Sequence, residues 1–241
     1  MKRKIHIIAD SRGKELQKRL KKTRDLRFTV DAHPGYNIED ATINSLSKIA
    51  QKKPDIVIIM AGICQLTKKE EDGKISLRNT PTQLAIENYM RSITVAKDTI
   101  KYYCEQTETE KPIVAITTQT GVEIKKWNKE DIQHPDQNRL DGLIIQLNRR
   151  ITEENTTQNC PTVWLSKYSH RYESRKGRYH PAYSKLHDGV HPDHELKKKW
   201  ITEIRKTCRK ILGIEEPIKY LKNLKIEIDN VKDNSSVELK M

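Results

Sequence analysis

The segment KIHIIADSRG, residues 4–13, opens with a short apolar block and stops abruptly at Asp-Ser-Arg-Gly. An apolar run that gives way to a polar turn and then a helical stretch reads as a buried strand feeding a helix. The same alternation recurs downstream, which is the pattern of a parallel sheet covered on both faces. Residues 13–22 read as a basic helix and residues 27–32 (RFTVDA) as a second strand. After the turn His33-Pro34-Gly35, Asn37 or Asp40 can cap a helix running to about residue 51. Pro54 ends it, and residues 55–61 (DIVIIMA) form the most apolar and hence central strand.

Residues 68–81 are polar, contain Asp72-Gly73, and read as a loop at the sheet edge. Apolar positions recur at helical spacing over residues 82–104 and 136–154, flanking a fourth strand at 112–118 (PIVAITT). A fifth strand is expected at 161–165 (PTVWL), and the last helix over 193–212. The prediction is one α/β domain over residues 1–212, a three-layer α/β/α sandwich on a parallel sheet of about five strands. Residues 213–241 differ: Glu216-Pro217 interrupts them, and 218–231 reads as a strand or an added helix of a C-terminal extension or tail.

Composition narrows the function classes. Apolar residues make up 35% and charged residues 33%, yet the apolar ones are clustered, which argues for a folded protein with a heavily solvated surface. Lys and Arg number 46 against 33 Asp and Glu, a net charge of +13. One basic run comprises Lys2, Arg3, Lys4, Arg19, Lys21, Lys22, Arg24 and Arg27. A second comprises residues 197–199, Arg205, Lys206, Arg209 and Lys210. Such a balance favours anionic partners, nucleic acid or another polyanion among them, although solvated helix faces are the plainer account. The four cysteines are far apart with no CxxC pair, and residues 5–9 are too short for the apolar core of a secretory leader. No run approaches a membrane span, so the chain is expected to be intracellular and cytoplasmic, with reduced thiols.

Three places hold residues able to do chemistry, and each falls where the strand order points loops at the carboxyl edge of the sheet. Ser11 follows the first strand at the opening of a helix, aimed at the cleft, although Asp10 or Ser11 could equally be a cap. Residues 187–192 (HDGVHP) put Asp188 three positions before His191 in a tight turn. A His that takes a proton from a Ser hydroxyl needs such a carboxylate to orient it; the competing reading is a capping turn. Residues 166–183 read as a loop that interleaves Tyr168, Tyr172, Tyr179 and Tyr183 with Arg171, Arg175, Lys176 and Arg178, a pattern able to stack rings while holding an anion, although a plain hydrophilic loop is the competing reading. The histidines lack the HExxH spacing of a metal site, and neither metal nor cofactor is expected.

The chain resembles the SGNH (GDSL-like) hydrolase superfamily of esterases, lipases and carbohydrate deacetylases. The four blocks recur in order: ADSRG around Ser11, Gly35 in HPGYN, AGICQL at residues 61–66, and DGVH at 188–191. The resemblance spans residues 4–212 and implies a flavodoxin-like fold with Ser11 as nucleophile, His191 as base and Asp188 behind it. It also implies an oxyanion hole of the Ser11 and Gly35 N–H groups plus the position held by Cys64. In the family that position is an Asn whose side chain donates to the oxyanion, and a thiol is a much weaker donor. Asp10, Arg12, Gly62, Gln65, Arg178 and Tyr179 are expected to contact substrate, with Gln65 one candidate to replace the missing donor. The leading expectation is a serine esterase or deacetylase acting on an acylated small molecule or carbohydrate. The alternative is a weak or inactive module of the same fold that uses its basic surface for nucleic acid or another polyanion.

Overall fold

In chain order the elements are β1 (Arg3–Ala9), α1 (Leu16–Arg19), β2 (Leu26–Ala32), α2 (Ile38–Lys52), β3 (Ile56–Met60), α3 (Ile63–Leu66), β4 (Thr67–Lys69) and β5 (Ile75–Leu77). They continue with α4 (Thr82–Gln106), β6 (Ile113–Ile116), α5 (Ile124–Asn128), α6 (Gln137–Thr157), β7 (His170–Glu173), β8 (Arg178–Pro181) and α7 (His194–Ile211). The structure is a computed structural model and describes residues 2–14, 16–20, 23–173 and 178–214. The main sheet is parallel, in the order β2-β1-β3-β6. The chain thus steps to one side of β1 for β2 and to the other for β3. That reversal opens a crevice at the carboxyl ends of β1 and β3.

Alternation along the strands divides the core. Ile5, Ile7 and Ala9 of β1, with Ile56, Ile58 and Met60 of β3, pack against Leu16, Leu196, Trp200 and Ile204 of α1 and α7. Ile8 and Val57 face Ala41, Ile49 and Ile100 of α2 and α4, while Ile59 and Ile116 meet Ile93, Leu143 and Leu147 of α4 and α6. Every residue of β3 is buried, as its unbroken apolar run requires. The α/β/α sandwich is therefore the observed architecture, with β3 inside the sheet as expected.

Four local expectations are corrected. The helix expected over residues 13–22 is a 3-10 turn at Ser11–Gly13 followed by the single turn of α1. The polar stretch 68–81 is not all loop: β4 and β5 form an antiparallel hairpin that turns at Asp72-Gly73, where the Asp72 carboxylate accepts from the Lys74 N–H. The fifth strand shrinks to one parallel bridge, Thr117 with Val163. Pro161 has no N–H to give, the Leu165 N–H turns back to the Val163 carbonyl, and the chain enters a 3-10 turn at Ser166–Tyr168. The Tyr- and Arg-rich stretch holds the antiparallel pair β7–β8. Arg175, Lys176 and the expected extension beyond residue 214 lie outside the described residues.

Candidate active site

Ser11 follows β1 directly, and the end of β3 lies beside it through the β1–β3 pairing. Asp10 caps the 3-10 turn, its carboxylate accepting from the Arg12 N–H at 3.0 Å. The Asp188–His191 turn precedes α7 and brings its imidazole to the same crevice. His191 Nε2 is 3.0 Å from Ser11 Oγ, and His191 Nδ1 is 2.6 Å from Asp188 Oδ2. The other oxygen of Asp188 accepts the N–H groups of Val190 and His191, at 3.0 and 2.7 Å. Burial acts to raise the Asp188 carboxyl, but the hydrogen bonds from the His191 ring and from these two amides outweigh it. The net position lies below the ordinary carboxylate range. Asp188 is therefore a fixed anion behind the imidazole, with the geometry that holds one tautomer and stabilises an imidazolium.

The turn carrying Asp188 and His191 is seated by a glycine. Gly189 has φ +89°, and a Cβ there would lie 2.4 Å from the Glu123 carbonyl oxygen. Its own carbonyl accepts from the Glu123 N–H at 2.7 Å, at the start of α5. Trp127 of α5 then stands 5.8 Å from the His191 ring, centroid to centroid. Neither Gly189 as a docking point nor Trp127 as a wall was foreseen. The only sequence signal was the small-residue stretch after β6, residues 117–121 (TTQTG), which leads into α5.

Ser11, Gly35, Cys64 and His191 border a cleft of about 380 Å³ whose apolar walls include Ile63, Ile75, Val122, Trp127 and Val190. Lys68, Lys69 and Arg78 rim it. Gly62, at the start of α3, has φ +123°, and the Tyr89 ring occupies the space where its Cβ would be. The Tyr89 hydroxyl donates to the Ala61 carbonyl at 2.9 Å, which holds the β3–α3 corner against α4. Gly62 is thus a corner residue beneath the site. Burial, reinforced by the Asp10 carboxylate, pushes the Cys64 thiol above its ordinary value. Arg12, Arg78 and the Gly35 backbone pull the other way. A protonated thiol of this kind is neither a nucleophile nor more than a weak donor.

The residues expected to contact substrate divide sharply. Asp10 and Arg12 are buried and paired with each other at 2.6 Å, and the Arg12 guanidinium also donates to Gln119 and Thr120. They brace the Ser11 turn against the end of β6 and do not line the apolar cleft. Gln65 turns away too, donating to Ser92 Oγ at 2.6 Å, which in turn donates to Glu39. It therefore does not stand in for the missing amide donor. Arg178 and Tyr179 lie on β8, and their side chains are outside the described part of the structure. Tyr168 and Tyr183 are committed to the body of the domain, to Glu203 and to Asp141 with Gln137 respectively. Among the described residues, one group has a metal-binding donor set: His187, Asp188 and His191, with donor atoms within 4.8 Å. Asp188 and His191 are already engaged in the hydrogen-bond chain to Ser11.

No protein-family model matches the sequence, and no curated protein matches it. Solved structures do. A putative acylhydrolase from Bacteroides fragilis shares 16% identity over 86% of this chain and 87% of its own, with a TM-score of 0.55. A GDSL-like lipase from Bacteroides thetaiotaomicron shares 15% over 86% and 88%, with a TM-score of 0.56. An acetyl xylan esterase shares 15% over 84% and 98%, with a TM-score of 0.52. The fold is that of the SGNH hydrolases. In this SGNH fold the strand ends present Ser11, Gly35 and Cys64 side by side, with the Asp188–His191 turn opposite.

Proposed function

We propose that the chain is a serine hydrolase of SGNH type that cleaves a carboxylic ester, as an esterase or deacetylase. The observation that carries the reading is the unbroken hydrogen-bond chain from Ser11 Oγ through the His191 ring to Asp188. In the proposed reaction His191 Nε2 takes the Ser11 proton as Oγ attacks the ester carbonyl. The oxyanion is held by the Ser11 and Gly35 N–H groups, with a weak contribution from Cys64. His191 then gives its proton to the departing alcohol, and the acyl group remains on Ser11. Water, deprotonated by His191, releases the acid and regenerates Ser11. The likeness to an acetyl xylan esterase and to acylhydrolases supports an acylated small molecule or carbohydrate as substrate.

The test is hydrolysis of p-nitrophenyl acetate and butyrate by the protein and by Ser11→Ala, with fluorophosphonate labelling of both. The reading requires turnover and labelling that disappear in the variant. A folded wild-type protein showing neither would sink it.

A second reading has its own support. The short α1 packs beside α7 and Asp25 pairs with Arg209, which brings exposed Lys18 and Arg24 near the long basic run on α7. Together with the thiol at position 64, this favours a polyanion-binding module of low activity. Nucleic-acid affinity that falls steeply with salt, alongside absent turnover, would support that reading over the first.

A further inference from the structure

The Gly35 amide, which the ester-hydrolase reading uses to hold the oxyanion, stands on an exposed turn. Pro34, Gly35 and Tyr36 are all open to solvent, and a Cβ at Gly35 would meet nothing within 4 Å among the described residues. The direction of that amide therefore depends on the turn itself. The Tyr36 N–H donates to the His33 carbonyl at 3.3 Å, so residues 33–36 form a β-turn with Pro34 and Gly35 at its centre. Proline is confined to negative φ and Gly35 has φ +82°, a combination that belongs to a type II turn. A type I turn differs from it by a flip of the central Pro34–Gly35 peptide, which would send the Gly35 N–H to the opposite side.

Two anchors hold the turn. After it, Asn37 caps α2 and accepts from the Asp40 N–H at 2.8 Å. Before it stands His33, whose backbone N–H donates to the Ala9 carbonyl at 2.8 Å. The His33 ring reaches α2: Nε2 lies 3.0 Å from Ser45 Oγ and 3.4 Å from Asp31 Oδ2. Ser45 has one proton and two acceptors for it, Asp31 Oδ2 at 3.1 Å and the Ala41 carbonyl at 2.9 Å. Its oxygen is thus left to accept from His33 Nε2–H. Asp31 is held in turn by Lys48, at 2.6 Å. The Tyr36 ring stacks on the imidazole with 5.5 Å between centroids, which joins the far end of the turn to the same anchor.

We propose that His33 is a positioning residue for the oxyanion hole: its ring ties the exposed turn to α2 and keeps the Gly35 N–H available to the oxyanion. The inference rests on the ester-hydrolase reading and adds to it a residue that does not border the cleft.

The experiment measures p-nitrophenyl butyrate hydrolysis by the wild type, His33→Ala and His33→Gln, each with a thermal melt. In His33→Ala kcat is expected to fall by about tenfold with KM within about twofold, because the donor it misplaces acts on the transition state. His33→Gln, which keeps an N–H donor at similar reach, should restore most of kcat. A folded His33→Ala protein with wild-type kcat, a loss carried by KM, or a Gln variant as slow as the Ala variant overturns the proposal. Should His33→Ala not fold, Ser45→Ala is read in its place: a smaller loss of kcat supports the anchor, and no loss overturns it. Exchange of the Tyr36 amide with deuterium, followed by NMR in the resting protein, separates this from failure of the hydrolase reading, which a wild type without turnover would show. Faster exchange in His33→Ala that His33→Gln reverses supports the tether even then. Equal exchange in all three proteins refutes it.

Discussion

Replacing Cys64 by Asn perturbs the one position at which the site's chemistry departs from its geometry. Cys64 is half-buried and borders the cleft together with Ser11 and Gly35. Its thiol is kept protonated by burial and by Asp10, so it offers at most a weak hydrogen bond to a developing oxyanion. An amide N–H in that place is a full donor in a partly desolvated site. One such donor is commonly worth about 100- to 1000-fold in kcat, or roughly 3–4 kcal/mol. The backbone beneath needs no change: Gly62 and Tyr89 hold the corner, and Arg78 Nε donates to the Cys64 carbonyl at 3.1 Å whatever the side chain. Gln65 faces Ser92 and does not help to fix the rotamer of an Asn here, so part of the gain is lost to ordering. We expect kcat on p-nitrophenyl butyrate to rise by about 10- to 100-fold, with KM little changed. The assay is steady-state hydrolysis by the wild type, Cys64→Asn, and Cys64→Asn combined with Ser11→Ala, each with a thermal melt. A folded Cys64→Asn protein that is no faster than wild type would refute the oxyanion assignment of position 64. A gain that persists without Ser11 would refute the nucleophile.

Two further expectations concern the frame around the site. Arg12→Met leaves the Asp10 carboxylate buried without its counter-ion and strips Gln119 and Thr120 of a donor, so urea denaturation should report a loss of about 3–5 kcal/mol; a loss under about 1 kcal/mol would show that the pair is not the brace we describe. His6 on β1 is fully buried, neither ring nitrogen has a hydrogen-bond partner among the described residues, and its pKa is lowered to about 4 by burial. Asp31 opposes that shift, while Lys48 and His33 add to it. The unfolded chain therefore binds a proton between about pH 6.5 and pH 4 that the folded chain refuses, so this contribution to stability is present at neutral pH and drains away through that window. Folding free energy should drop by about 2 kcal/mol from pH 7.5 to 5, and His6→Leu should remove that part of the slope. An unchanged slope in His6→Leu would place the titration elsewhere.

The sequence alone determined the layer architecture, because apolar blocks separated by helical stretches leave a parallel sheet little alternative. The unbroken run of β3 marked an interior strand, and a Ser after β1 with an Asp-x-x-His turn before α7 marked the carboxyl edge. These are local signals, written in periodicity and turn chemistry over a few residues. The direction of each side chain is not. Asp10, Arg12 and Gln65 sit beside Ser11 or Cys64 in sequence, yet all three turn inward. Arg12 does so because Thr120, 108 positions away, and Gln119 accept its guanidinium. Gln65 does so because Ser92 of α4 faces it. Trp127 and the fit of Gly189 against Glu123 likewise depend on α5 arriving from a distant part of the chain. The fifth strand contracted to a single bridge because the Leu165 N–H bonds back to Val163 and the Ser166 N–H is taken by the Thr118 hydroxyl. Local pattern states which face of an element is apolar. Which polar group is left facing the cleft follows only once packing has assigned a partner to every other one.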